Sequence, residues 1–232
     1  MTLALFIQSI EEDPLIFASV VFTVIISITL HELAHGWMAI RLGDRTPIEL
    51  DRMNVNPLVH MGPWSLIALL LAGIAWGQMP IDASRMRGRF AEALVAVAGP
   101  LTNLLLGVLA LTALGLWARF DDRFPIMVEG QHQVVENSAF FLWQFGRVNL
   151  ILFVFNLLPI PPLDGSHILA NFNRPYANFI SNPANGGMIM VLFIFAFLFG
   201  AVLFTPAQKL GLEYLFLVSG IDSPLLWWTV IF

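Results

Sequence analysis

From Ala91 to Trp117 the chain runs through 27 residues with one charged side chain, Glu92. About 18 apolar residues suffice to cross a bilayer, so this segment is a spanning candidate. In lipid no water satisfies the backbone, so a lone span must close its hydrogen bonds within itself, as a helix does. Leu15 to Ile40 and Ala139 to Leu158 are comparable, and Gly187 to Phe204 carries no charge. Leu210 to Phe232 is apolar but broken by Gly220, Asp222 and Pro224, so it spans or lies in the interface. Hydrophobic residues make up 58% of the 232 and charged ones 12%, against roughly half and a quarter in soluble domains. The fold class is therefore an all-α polytopic membrane protein, a bundle of five to six transmembrane helices. Residues 1–232 read as a single membrane-embedded domain, with a core over about 15–173 and C-terminal helices over about 187–232. No internal repeat is visible.

Charge orients the bundle. Arg41, Arg45, Arg52, Arg85, Arg87 and Arg89, six of the eleven basic residues, lie between the first and third spans. Glu11, Glu12 and Asp13 precede the first span, and no base does. The positive-inside rule puts the N-terminus outside and the Arg41 end at the cytoplasm. Met1 to Ile10 is too short to span and reads as an interfacial segment, not a cleavable signal. The apolar stretch Trp64 to Gly77 has 14 residues between two basic clusters and is bracketed by Pro63 and Pro80. A crossing there would put one cluster on the wrong side, so a re-entrant or interfacial segment is expected. The chain has no cysteine, which excludes disulfides, iron–sulfur clusters and thiolate metal sites. The net charge of −5 is small and says little about partners; the expected partners are membrane-protein substrates and the bilayer, with no nucleic acid.

The first span carries His31-Glu32-Leu33-Ala34-His35. Residues four apart share a helix face, so both imidazoles can reach one metal ion. Glu32 is offset around the helix and can address water at the metal. Ionisable groups at membrane depth are costly and default to function; the bland alternative is a polar cluster pinning helices together. A catalytic zinc needs three protein ligands and an open position. His60, Glu92, Asp164 and His167 are candidates for the third. Asp164 stands out because Pro159, Pro161 and Pro162 forbid a continuing helix and Gly165 permits a sharp turn. Span parity brings it to the same side as His35. The alternative for Asp164 is a simple turn at a span end. In the third span Asn103 either donates to an oxyanion or makes an interhelical hydrogen bond, with Gly99 allowing close approach.

Taken in order, H-E-L-A-H, then Ala98-Gly99-Pro100-Leu101-Thr102-Asn103, then Asn156-Leu157-Leu158-Pro159-Ile160-Pro161-Pro162-Leu163-Asp164-Gly165, resemble the three signatures of the site-2 proteases. The resemblance covers Leu30 to about Leu169 and implies an intramembrane zinc metalloprotease holding one Zn2+. It implies His31, His35 and Asp164 as metal ligands, Glu32 as catalytic base, and Asn103 as transition-state helper. Asn156 would steady the final loop or the substrate backbone. Asn56-Pro57-Leu58-Val59-His60-Met61-Gly62-Pro63 also resembles a segment of the small prokaryotic members, with Met61 and Gly62 departing from it. Trp76-Gly77-Gln78-Met79-Pro80 resembles another more loosely. His60 reads as a local hydrogen-bonding residue or as one lining the active-site entrance, His167 as structural and Glu92 as an interfacial or helix-terminal acid.

The implied function is hydrolysis of peptide bonds within or next to transmembrane segments of membrane-protein substrates, in a prokaryotic plasma membrane, with the active site towards the cytoplasm. Glu32 would activate the attacking water and pass its proton to the leaving amine. Water would enter near Arg41–Arg52 and Gly165. A strand edge in Ile48–Val59 or Gln78–Asp82 would clamp the unwound substrate by β-addition. Among rivals, a prenyl-protein type protease needs a downstream glutamate ligand, and Glu129, Glu136 and Glu213 sit in no matching motif. A metal transporter would show paired half-repeats. A degenerate protease acting as a binding partner would lack some of the site residues.

Overall fold

The computed structural model describes residues 14–120 and 133–220, and every regular element in them is helical. Helix α1 (Pro14–Leu42) is followed by the single turn α2 (Thr46–Glu49), α3 (Pro57–Ala72) and a 3-10 turn at Ala83–Arg85. Then come α4 (Ala91–Phe120), α5 (Gln133–Asn156), α6 (Asp164–Phe172) and α7 (Arg174–Ser181). The described chain ends with α8 (Gly186–Leu198) and α9 (Gly200–Ser219). Among the described residues, three helices are long and apolar enough to cross a membrane: α1, α4 and the 137–156 part of α5. Helix α7 and the segment Pro183–Leu198 form a pair bent by 75°, which makes a fourth if counted as one span.

Helix α4 is the centre of the bundle and packs against α1, α5, α6 and α9. It can do so because its buried positions are largely small: Ala93, Ala96, Ala98, Gly99, Gly107 and Ala110. In lipid, where no hydrophobic drive separates helix from tail, such residues let backbones approach and gain dispersion contacts. A Cβ at Gly107 would meet the Gly146 carbonyl oxygen and Leu150 of α5. Towards the far end of α4, Leu111 and Leu114 interlock with Trp143 of α5 and Leu215 of α9 in the largest apolar cluster.

Of the 14-residue stretch, Trp64–Ala72 is helical and 73–77 follows the helix. Helix α3 starts earlier, at an Asn56 cap that accepts the Leu58 N–H, and ends at Ala72. Pro63 lies inside it, and the break falls on Gly62, whose φ of 69° only glycine adopts at little cost. The fifth apolar stretch divides at Phe199 into α8 and α9. Thirteen residues of α8 reach about 20 Å, short of the ~30 Å hydrocarbon core. Helix α9 runs through the start of the Leu210–Phe232 stretch and closes at Gly220 in a left-handed cap. Residues 221–232, like the Met1 to Ile10 segment, lie outside the described residues. Neither expected strand edge is a strand: Ile48–Val59 is occupied at both ends by helix, and Gln78–Asp82 lies in 74–82, which has no regular structure.

That segment, 74–82, is fastened across the bundle. The Ser65 hydroxyl donates to the Trp76 carbonyl (2.7 Å) and accepts the Trp76 N–H (2.9 Å). The Gln78 N–H donates to the His60 carbonyl at 2.9 Å. Its far end is held by Asp44, which is wholly inaccessible and accepts from the Thr46 N–H, the Thr46 hydroxyl and the Asp82 N–H. Arg85 bridges to Glu49 at 2.6 Å, and the Arg87 N–H reaches the Leu42 carbonyl at 2.8 Å. Burial pushes the Asp44 carboxyl up, but the Thr46 and Asp82 hydrogen bonds outweigh it and hold it below the usual carboxylate range. Its contribution is therefore complete above the ordinary carboxylate pKa of about 3.9 and is lost as pH falls below that towards the lowered value. Asp44→Ala orphans three donors and should cost about 1–3 kcal/mol at neutral pH. Limited proteolysis and hydrogen exchange of residues 74–82 should report a looser segment, and acidification of the unmodified protein should reproduce it.

Candidate metal centre

Helix α1 carries His31, Glu32 and His35 inward, all below 8% exposed. One helical turn apart, the two rings meet edge to face at 4.6 Å between centroids. Each ring is held by its Nδ1. That of His35 lies 2.7 Å from the Val95 carbonyl oxygen, and that of His31 lies 2.6 Å from Oδ1 of Asn103. A carbonyl oxygen only accepts, so the His35 Nδ1 carries the hydrogen and its Nε2, in the neutral ring, presents a lone pair. The two Nε2 atoms stand 3.0 Å apart.

Asp164 completes the group. The prolines after α5 turn the chain through 157–163, and Asp164 opens α6, where the helix N-terminus favours a carboxylate. Its oxygens lie 3.1 Å from His31 Nε2 and 3.3 Å from His35 Nε2. Gly165 acts differently from its expected role as a turn: it lies within α6, and a Cβ there would collide with the Leu157 and Leu158 carbonyls. Gly99 of α4 has the same duty opposite the imidazoles, since a Cβ there would press on Nε2 of both.

These atoms fit a metal ion on their own geometry. Among the described residues, only His31, His35 and Asp164 gather potential ligand atoms within 4.8 Å of one another. Ligands about 2.0–2.1 Å from a tetrahedral ion stand about 3.3 Å apart, close to the spacings observed. Asp164 Oδ2 is buried and has no hydrogen-bond partner despite its nearness to His31. Electron-rich atoms brought this close repel one another unless a cation, or a proton, sits between them.

Glu32 faces a cavity of about 1250 Å³ that also touches all three of these residues, Asn103 and Asn156. Gly77, in the 74–82 segment, lies so close that a Cβ would clash with the Glu32 carboxylate and Ile28. The other third-ligand candidates are elsewhere. His60 is 2% exposed and its Nε2 lies 2.6 Å from the Asn54 carbonyl oxygen, a local hydrogen bond. Glu92 and His167 are exposed on the cavity wall. Glu213 is exposed on α9; Glu129 and the side chain of Glu136 lie outside the described residues. Gly77 entered the sequence reading only within the loosely resembling Trp76–Pro80 segment, with no role of its own. Asn149 escaped it, although a polar side chain deep in α5, two helical turns before Asn156, is a signal: it is wholly buried and its Oδ1 accepts from Asn103 Nδ2 at 2.9 Å.

An all-helical, membrane-type bundle with two histidines, an aspartate and a glutamate at one cavity defines the class of a membrane-embedded metallopeptidase. The family model described as Peptidase family M50 matches residues 19–200. The chain belongs to that family, the site-2 metalloproteases. It is 34% identical over 212 residues to YwhC of Bacillus subtilis (strain 168), whose name makes it a candidate zinc metalloprotease, covering 89% of this chain and 93% of that one. It is 30% identical over 228 residues to Rip2 of Mycobacterium tuberculosis (strain ATCC 35801 / TMC 107 / Erdman), similarly named, covering 92% and 80%. A match at 24% identity to zinc metalloprotease MJ0392 of Methanocaldococcus jannaschii spans 82% of this chain and 45% of that one. No solved structure matches the chain. Gly99→Ala overpacks both imidazoles and should lower stability by about 1–3 kcal/mol, seen as an earlier thermal transition in detergent.

Proposed function

We propose that this zinc metalloprotease holds one Zn2+ on His31, His35 and Asp164 and cleaves transmembrane segments of other membrane proteins within or beside the bilayer. The observation that carries the reading is the convergence of two imidazole nitrogens and the Asp164 carboxylate, 3.0–3.3 Å apart, beside the buried Glu32 carboxylate at a membrane-depth cavity. Zinc held there would supply a Lewis acid, polarising a carbonyl and making water nucleophilic near neutral pH. Glu32 takes the proton of the attacking water and delivers it to the leaving amine. Asn103 keeps one amide hydrogen beyond its bond to Asn149, and this hydrogen supports the developing oxyanion. Asn156, on the cavity wall, steadies the substrate backbone.

The same reading extends to the whole chain. Residues 1–232 form one protease domain with five to six spans, and α3 with the following segment re-enters from the cytoplasmic side of the plasma membrane. His35 lies seven residues before the end of α1, about 10 Å below the basic loop, so water reaches the centre from that face. An unwound substrate lies along 74–82, where Trp76 and Gln78 use their backbone groups on Ser65 and His60, leaving those of Gly77 and Met79 for β-addition.

Glu32→Gln should keep its zinc and lose cleavage of a reporter membrane substrate by at least about 100-fold. Asp164→Ala should lose zinc as well as activity, measured by metal analysis of the purified protein. Full zinc in Asp164→Ala would refute the ligand set.

A further inference from the structure

Asn149 has no assigned role, yet its surroundings give it only one orientation. It is wholly buried on α5, and its side chain touches two polar groups. One is the Phe145 carbonyl oxygen one turn earlier, 2.9 Å from Nδ2; the other is the Asn103 amide, 2.9 Å from Oδ1. A backbone carbonyl can only accept, so Asn149 must turn its NH2 towards Phe145 and its oxygen towards Asn103. Asn103, also wholly buried, must then present its own NH2 to Asn149 and its oxygen to His31. The His31 Nδ1 must carry the hydrogen, and its Nε2 is left bare, pointing at His35 and Asp164.

We propose that Asn149 is a positioning residue: through Asn103 it transmits the fixed polarity of the Phe145 carbonyl to His31 and so holds that ring in the neutral tautomer whose Nε2 is free to ligate metal. Without it, Asn103 can flip its amide, offer NH2 to His31 and favour the tautomer whose Nε2 is blocked by hydrogen. His35 needs no such relay, because its Nδ1 meets the Val95 carbonyl directly. The two imidazoles thus receive the same instruction, one from the backbone beside it and one over two asparagines. Partners of this kind typically govern metal affinity by about 10- to 100-fold. The inference rests on the proposed ligand set for its consequence, but its first link is a property of the metal-free protein.

The test has two readouts. In the metal-free full-length protein in detergent, 15N-edited NMR of labelled histidine should show His31 in the Nδ1–H form; the Nε2–H form would overturn the proposal. Asn149→Leu should give a mixture of tautomers and weaken Zn2+ binding in chelator competition by about 10- to 100-fold. The second variant separates relay from packing. Asn103→Asp places a carboxylate, which only accepts, against His31, so polarity no longer depends on Asn149. Adding Asn149→Leu to Asn103→Asp should therefore change Zn2+ affinity by no more than about twofold. An equal loss in both backgrounds would reduce Asn149 to a packing residue. Failure of the wild-type protein to bind Zn2+ would instead count against the ligand set, leaving the tautomer measurement to judge the relay.

Discussion

Two imidazole nitrogens and a carboxylate held 3.0–3.3 Å apart at membrane depth are unstable company without a cation, and much of the molecule is arranged to keep them there. Left alone they would separate, rehydrate or take up protons. Four constraints prevent this. The α1 turn fixes the spacing of the rings. The Val95 carbonyl and the Asn103 carboxamide fix their rotation. The proline-rich turn returns Asp164 to the depth of the rings, and glycines at 99 and 165 remove the Cβ atoms that would keep α4 and the α5–α6 turn away. Local helix geometry supplies only the first.

The small residues of α4 follow from the same demand. A helix contacting four others at its own radius cannot carry large side chains on every face, and α4 gives up bulk where it meets α1 and α5. Its apolar interlock with Trp143 and Leu215 lies further along, beyond Gly107, where the Thr112 and Tyr214 hydroxyls also meet at 2.7 Å. Small buried residues thus predominate in the half of the helix beside the histidines, and leucines join them in the other.

What the sequence made legible were features with a short physical range. Helical period put His31 and His35 on one face, and apolar run length gave α1, α4 and α5. Prolines at 159, 161 and 162 marked a place where the helix had to stop. The proline run and span parity made Asp164 stand out from His60, Glu92 and His167, and the family resemblance then implied it as a ligand. Features set by contacts distant in sequence stayed hidden. Asp44 holds Asp82 across 38 residues, and nothing in either neighbourhood announces it. Gly165 was read as a turn glycine because a Gly after Asp usually is one; only its nearness to the Leu157 carbonyl shows that space, not φ, is what it provides. The break at Phe199 was hidden for another reason: an apolar run records the solvent around a helix, not its direction.

Gly77 ties the loop segment 74–82 to Glu32. The segment around it is pinned at Ser65 and His60 on one flank and at Asp44 on the other, and between those anchors it comes into contact with the Glu32 carboxylate. The Glu32 carboxylate, pressed against backbone on one side, opens only towards the cavity. Its direction is set by the segment as much as by α1. Any residue larger than glycine at 77 would move either that carboxylate or the segment. Loop and carboxylate thus share one steric constraint, through a residue that has no chemistry of its own.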